Sequence, residues 1–254
     1  MKTIVVTGSS SGLGRATKQR LEADGVRVIG VDLKGADITA DLSVPEGRAG
    51  AAESIAEVSG GVVDGYVGYA GVGPPLGDIN LLTSLNYFGQ IDLLLAIRPL
   101  LAAATKSAVV VVSSVAPMVQ DVDDDSLKAM VAGDERLALE LTVKHGDQGV
   151  AYNTSKLATL KFGRSVAPAW IADGIRVNIM APGITITPMT ESALSNPEIA
   201  ALMNENPAPI ARWGQPPDIA EVACWLLSDA SAYVVGSVLV VDGGIDAAAR
   251  PDNF

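Results

Sequence analysis

The 254 residues, 48% of them hydrophobic, suffice for one large α/β domain with a buried sheet, and no proline-rich, serine-rich or charged linker divides them. Acidic residues outnumber basic ones by 29 to 18, and the resulting formal charge of -11 excludes nucleic-acid binding by bulk electrostatics. One cysteine, Cys224, excludes an internal disulfide, and one histidine, His145, leaves too few ligands for a typical zinc set and no base for a serine hydrolase. Cys224, in Ala223-Cys224-Trp225-Leu226-Leu227, reads as the buried face of a helix, and His145 as a solvated side chain in a polar loop. Strand-like Thr3-Ile4-Val5-Val6 leaves no room for a signal peptide, and no apolar run is long enough to span a bilayer, so a cytoplasmic location is the expectation.

Short Val/Ile-rich runs alternate with longer helical stretches, the pattern of a doubly wound parallel sheet of Rossmann type covered by helices on both faces. Strands are expected at 3–7, 27–32, 64–68, 108–113, 176–180 and 237–241, and helices at 12–24, 45–58, 85–103, 150–173 and 216–228. The first strand turns into the first helix through Thr7-Gly8-Ser9-Ser10-Ser11-Gly12-Leu13-Gly14, where Gly8, Gly12 and Gly14 let main chain approach a pyrophosphate at a helix N-terminus. No Gly-Lys-Ser/Thr follows, so this is not a nucleoside-triphosphate loop. The second strand ends at Asp32, about twenty residues beyond the turn, where a carboxylate accepts the adenosine ribose hydroxyls and repels a 2'-phosphate; the reading is NAD rather than NADP. Asp32 as a loop cap is the alternative, and Lys34 and Arg15 are the nearby cations that bear on it.

Two segments break the rhythm. The first, 116–149, carries the acidic run from Asp121 to Asp125 and two helical patterns, 126–131 and 136–141, that end near Gly133 and Gly146 and predict a short helical hairpin. Asp123 to Asp125 lack the glycine and terminal glutamate of a calcium loop and read as a solvated helix start. The second segment, 187–213, is rich in Met, Asn and Pro, and connections this long are uncommon in compact domains unless functional. Between them stand Tyr152 and Lys156, which share a face of a helix at i and i+4. A tyrosine at its usual pKa of about 10 shuttles protons poorly at neutral pH. A cation roughly 4 Å away at an effective dielectric near 20 is worth about 4 kcal/mol, enough to lower that pKa by two or three units.

Taken together these elements resemble the short-chain dehydrogenase/reductase family, over nearly the whole chain from Thr3 to about Gly244. Thr7 to Gly14 matches its cofactor turn, which implies contacts from Gly8, Ser11, Gly12, Leu13 and Gly14, with Asp32 and Leu33 after the second strand. Asp41-Leu42 resembles the pair beside the adenine, and Ala70-Gly71 the end of an Asn-Asn-Ala-Gly element that reads Gly68-Tyr69-Ala70-Gly71 here, without its asparagines. Asn86, in Asn86-Tyr87-Phe88-Gly89, matches the asparagine that supports a water relay to the lysine, and Ser114, Tyr152 and Lys156 match the catalytic trio. Ile184 and Thr187, in Pro182-Gly183-Ile184-Thr185-Ile186-Thr187, match the loop that holds the carboxamide of the nicotinamide. The family implies NAD as cofactor and a small alcohol or ketone as substrate, with no nucleic-acid or membrane partner. A catalytically silent NAD-binding regulator on the same scaffold is the reading from another class.

Within the family, the Asn-Tyr-Phe-Gly start, the long connection before Tyr152 and the tail from Val241 to Ala247 with Arg250-Pro251 and Phe254 resemble the bacterial hydroxysteroid dehydrogenase/carbonyl reductase branch. The inserted segment is expected to wall an apolar substrate pocket with Met118, and to block the helix pairing by which relatives form tetramers, leaving a homodimer built on the carboxyl-terminal strand and tail.

Overall fold

The computed structural model describes residues 1–74, 78–194 and 208–252. β1 (Thr3–Thr7) is buried at every position, as an apolar β-branched run between two helical layers must be. It pairs in parallel with β2 (Arg27–Asp32) on one side and β4 (Gly65–Gly68) on the other. With β3 (Ile38–Thr39), β5 (Ser107–Val112), β6 (Ile175–Pro182) and β7 (Val238–Val241) the sheet runs β3-β2-β1-β4-β5-β6-β7, all parallel. The order reverses between β1 and β4, so the crevice beyond their carboxyl ends is the expected ligand site.

Alternate residues of β1 face opposite layers. Val5 packs with Ile29, Val31, Ile55, Leu94 and Ile97 beneath α2 (Pro45–Ser59) and α4 (Gln90–Ala102). Ile4 and Val6 pack with Leu21, Ile219, Ala223 and Leu226 beneath α1 (Gly12–Ala23) and α10 (Pro216–Leu227). Cys224 lies on α10 half-buried rather than in the core proper, and burial pushes its thiol up to about 11, away from reactivity. All six expected strands are present. β3 was not anticipated, because two residues at a sheet edge carry no periodicity. Its existence rests on the backbone register Val31 to Ile38 and Asp32 to Thr39.

The expected helix at 85–103 is longer and interrupted. It begins as α3 (Ile79–Thr83), capped by the Asp78 carboxylate on the Leu81 N–H, passes through a π-helical turn over Ser84–Gly89 and continues as α4. The π turn accommodates one extra residue and so re-aims the side chains on it, among them Asn86.

The inserted segment folds as α5 (Ala116–Val119), α6 (Asp124–Val131) and α7 (Glu135–His145), ahead of α8 (Gln148–Trp170). Asp123 caps α6, accepting from both the Ser126 N–H and hydroxyl, so the acidic run is a helix start as expected. His145 is the last residue of α7 rather than part of a loop, because Gly146 supplies the left-handed backbone that ends the helix one residue later. The hairpin is not a surface decoration: Leu127, Ala129, Met130 and Ala138 join the main core. Arg48 on α2, 3% exposed, ties it in place. Its guanidinium forks onto Glu135 of α7 at 2.7 Å through both nitrogens and reaches Asp92 at 2.8 Å. It also donates to the carbonyls of Leu42 and Ser43 at 2.9 and 3.0 Å.

Candidate active site

At the end of β1 the chain turns through Gly8 and Gly12, both at positive φ (63° and 49°), where a side chain would be strained. Gly14 has an ordinary backbone but no room: a Cβ there would lie 2.1 Å from the Gly8 carbonyl oxygen. Only glycine lets α1 pack this close to the strand end, which presents the free N–H groups of its first turn to the crevice. Ser11 is the residue before that turn, in extended conformation, and Leu13 is half-buried behind it. Asp32 closes the other side. Its Oδ2 accepts the Ser10 N–H at 2.9 Å and its Oδ1 the Leu33 N–H at 2.7 Å, so it staples the turn to the end of β2, while Leu33 stands 63% exposed beside it. Across the crevice the Thr187 methyl would lie 3.3 Å from a Cβ on Gly12. A cleft of 360 Å³ opens there between Gly12, Arg15, Thr187, Pro188, Glu191 and Gln215. Ile184 precedes it, its carbonyl accepting the Gly214 N–H at 2.9 Å.

Two expected adenine-side residues are otherwise committed. Asp41 accepts the Ser43 N–H and hydroxyl at 2.9 and 2.6 Å, and Leu42 is buried in the core with its carbonyl on Arg48. The side chains are held by their own turn and core, and neither is a free group facing the crevice.

The second cluster lies at the end of β5. Ser113 turns its hydroxyl onto the Lys156 carbonyl at 2.7 Å, tying strand to α8, while the Ser114 hydroxyl accepts the Ala116 N–H at 3.2 Å and lies close enough to the Tyr152 phenol to pull its pKa down. Lys156, 7% exposed, sends Nζ to the Val112 carbonyl at 3.4 Å and stands 5.9 Å from the centre of the Tyr152 ring. Asn86 is wholly buried, and its carboxamide is used up on Val72, accepting the N–H at 2.8 Å and donating to the carbonyl at 2.9 Å. That fixes Ala70 and Gly71 against the cluster: a Cβ on Gly71 would lie 2.8 Å from Asn86 Oδ1 and 3.6 Å from Lys156 Nζ. Ser114, Tyr152, Lys156, Asn86 and Gly71 are therefore brought together, and Ala70 beside them meets the glycine turn, its N 3.0 Å from where a Cβ on Gly8 would lie.

The electrostatics differ from the sequence expectation. Burial pushes the Tyr152 phenol up, with the Ser114 hydrogen bond pulling the other way, and the lysine-driven lowering is not what prevails. Burial likewise lowers Lys156 to about 8. Desolvation is the first cause for both groups, and it outweighs what they do for each other. The sequence reading missed Tyr69, whose phenol accepts the Thr17 hydroxyl at 2.9 Å and so braces α1 from the position of a missing asparagine. It also missed Arg48, whose only sequence signal is a basic residue on the apolar side of α2.

A short-chain dehydrogenase family model, described as enoyl-(acyl carrier protein) reductase, matches residues 136–246. The 3-alpha-hydroxysteroid dehydrogenase/carbonyl reductase of Comamonas testosteroni is 39% identical over the full length of both chains. The chain belongs to the short-chain dehydrogenase/reductase family. A 2,5-dichloro-2,5-cyclohexadiene-1,4-diol dehydrogenase of Sphingobium indicum is 30% identical over 97% of each chain. Among solved structures, the 3-alpha-hydroxysteroid dehydrogenase of Pseudomonas sp. B-0831 complexed with NADH superposes with a TM-score of 0.94 over all of both chains at 37% identity. This family member is thus an oxidoreductase. Among the described residues no helix is long and apolar enough to cross a membrane, and no group of His, Cys, Asp and Glu could hold a metal.

Proposed function

We propose that this dehydrogenase interconverts a secondary alcohol and a ketone with NAD(H), and that its substrates are hydroxysteroids or related cyclic carbonyl compounds. The observation that carries this is the buried cluster of Ser114 and Lys156 about the Tyr152 ring at the end of β5, together with a turn at the end of β1 where main chain alone approaches the crevice. Full-length similarity to a hydroxysteroid dehydrogenase/carbonyl reductase supports the substrate class. A bound nicotinamide would supply or accept the hydride. Gly8, Ser11, Gly12, Leu13 and Gly14 would hold its pyrophosphate, Asp32 and Leu33 the adenosine ribose, Ala70 and Gly71 the adjoining ribose side, and Ile184 and Thr187 the carboxamide. Asp41 and Leu42 would act on the adenine side only through their backbone turn.

Ser114 hydrogen-bonds the substrate oxygen, and Tyr152 gives or takes its proton. Phenol burial suits the protonated tyrosine that a ketone reduction needs. Lys156 holds ribose hydroxyls and lowers the tyrosine pKa as the cleft fills, while Asn86, by fixing Gly71 and Val72, keeps open the water route from lysine to solvent. The protein is read as a cytoplasmic homodimer, with β7 and the tail as the shared surface; Phe254 and the centre of the 187–213 loop lie outside the described residues. Assay of NADH and NADPH oxidation with 3-ketosteroids, aromatic ketones and aliphatic ketones tests the reading. We expect 3-ketosteroids with NADH to give the highest kcat/KM, and Asp32→Ala to narrow the preference over NADPH by about tenfold or more. Equal wild-type efficiency with the two cofactors overturns the NAD assignment, and turnover confined to aliphatic substrates overturns the substrate class.

A further inference from the structure

Gln90, the first residue of α4, is wholly buried and lies outside every motif that identifies the family. Its Oε1 accepts the Val112 N–H at 3.0 Å and its Nε2 donates to the Val112 carbonyl at 3.5 Å. Both groups are where a strand partner would be. β4 pairs with β5 only as far as Gly68 opposite Val111, and the chain then leaves the sheet toward Tyr69 and Gly71. The N–H and carbonyl of one strand residue point to the same neighbour, and past Gly68 that neighbour offers the Val112 carbonyl no donor, so its partners are the side chains of Gln90 and Lys156. The carboxamide of Gln90 takes the place of the missing strand residue.

Gly68 makes this possible. A Cβ on it would lie 2.6 Å from Gln90 Cγ and 2.7 Å from Oε1, so any side chain at 68 competes for the space the glutamine fills. Val112 directly precedes Ser113 and Ser114, and the carbonyl that receives Gln90 Nε2 also receives Lys156 Nζ at 3.4 Å. On the opposite edge Ser113 N–H is fixed by the Met180 carbonyl at 2.8 Å. The end of β5 is therefore held from both sides, by a strand on one and by the Gln90 amide with the Lys156 ammonium on the other.

We propose that Gln90 is a positioning residue for the reaction: paired with Gly68, it sets the strand end that carries Ser114 and orients the carbonyl that holds Lys156. This rests on reading Ser114, Tyr152 and Lys156 as the reacting groups. It implies that the amide has two equivalent addresses, reached from residue 90 with glycine at 68, or from residue 68 with a small residue at 90.

The test combines Gln90→Met, which keeps the length but not the hydrogen bonds, with the exchange Gly68→Asn/Gln90→Ala. Turnover of NADH with a ketone is measured together with hydrogen exchange at the Val112 amide. Gln90→Met is expected to lower kcat about tenfold or more with KM for NADH changed less than about twofold, and to speed exchange at Val112. The exchanged pair is expected to recover kcat to within about threefold and to restore the slow exchange. Unchanged kcat in folded Gln90→Met, or a folded exchanged pair that stays as impaired as Gln90→Met, overturns the proposal. Should Gln90→Met not fold, the exchanged pair decides alone: activity below about a tenth of wild type counts against it. A wild-type chain without ketone turnover would defeat the dehydrogenase reading instead, and Val112 exchange unaltered by Gln90→Met would then defeat the placement of Gln90.

Discussion

At the end of β1 the surface proposed to meet the cofactor is main chain, shaped by what glycine lacks: two positive φ angles and one 2.1 Å approach that a methyl group would forbid. At the end of β5 it is side chain, a hydroxyl beside a phenol and an ammonium whose pKa values burial shifts. The first arrangement tolerates changes of chemistry but not of volume. The second tolerates little change of chemistry, because each group is poised by its burial and by one or two hydrogen bonds.

The sharpest way to break this contrast is at Tyr152. Tyr152→Phe keeps the ring and removes the transferable proton, so kcat should fall by more than about a hundredfold while NADH affinity stays within about twofold. A variant that keeps a tenth of the activity would show that the chemistry does not depend on the phenol. At the other end, Gly14→Ala should destabilise the fold by about 3 kcal/mol or more, read from urea unfolding, since main chain must move to admit the methyl. Ser11→Ala beside it, where the hydroxyl caps nothing, should change stability by less than about 0.5 kcal/mol. Comparable losses in the two variants would mean that the turn is held by its side chains after all.

The smallest effect is electrostatic. Lys156 has a folded pKa of about 8, below its ordinary 10.5. Between those values the unfolded chain binds more protons than the folded one, so this group's contribution to stability rises with pH and its burial cost is fully felt below about pH 8. Relative to Lys156→Met, the wild type should gain roughly 1 kcal/mol between about pH 8 and about pH 9. A flat difference across that range would place the ammonium in contact with water.

Much of the scaffold was legible in the sequence. Parallel strands covered on both faces need unbroken Val/Ile runs, so β1 and β2 have the expected bounds and the other four expected strands lie within two residues of theirs. The glycine turn and the Tyr152–Lys156 spacing are local and were equally readable. What was not readable depends on register or on gaps. β3 exists only because Ile38 falls beside Val31. The π turn over Ser84–Gly89 adds a residue without altering the apolar pattern. Gln90 acquires its partner only because β4 stops one position before β5 does. The desolvation that reverses the expected shift of Tyr152 comes from the packing of α8 against the sheet, which spacing along a helix does not reveal.

The Arg48 knot bears on how this chain can be shortened or recombined. Its guanidinium is shut away from water beneath the segment whose Glu135 neutralises it. Without Glu135 the cation would keep only the half-exposed Asp92 as anion, losing the bidentate partner of a buried pair, a change that costs up to about 3–5 kcal/mol. The inserted hairpin and residue 48 are therefore one energetic unit split across the sequence. Pruning residues 121–144 to probe substrate size would fail first at a distant position on α2, unless an apolar residue replaced the arginine in the same step.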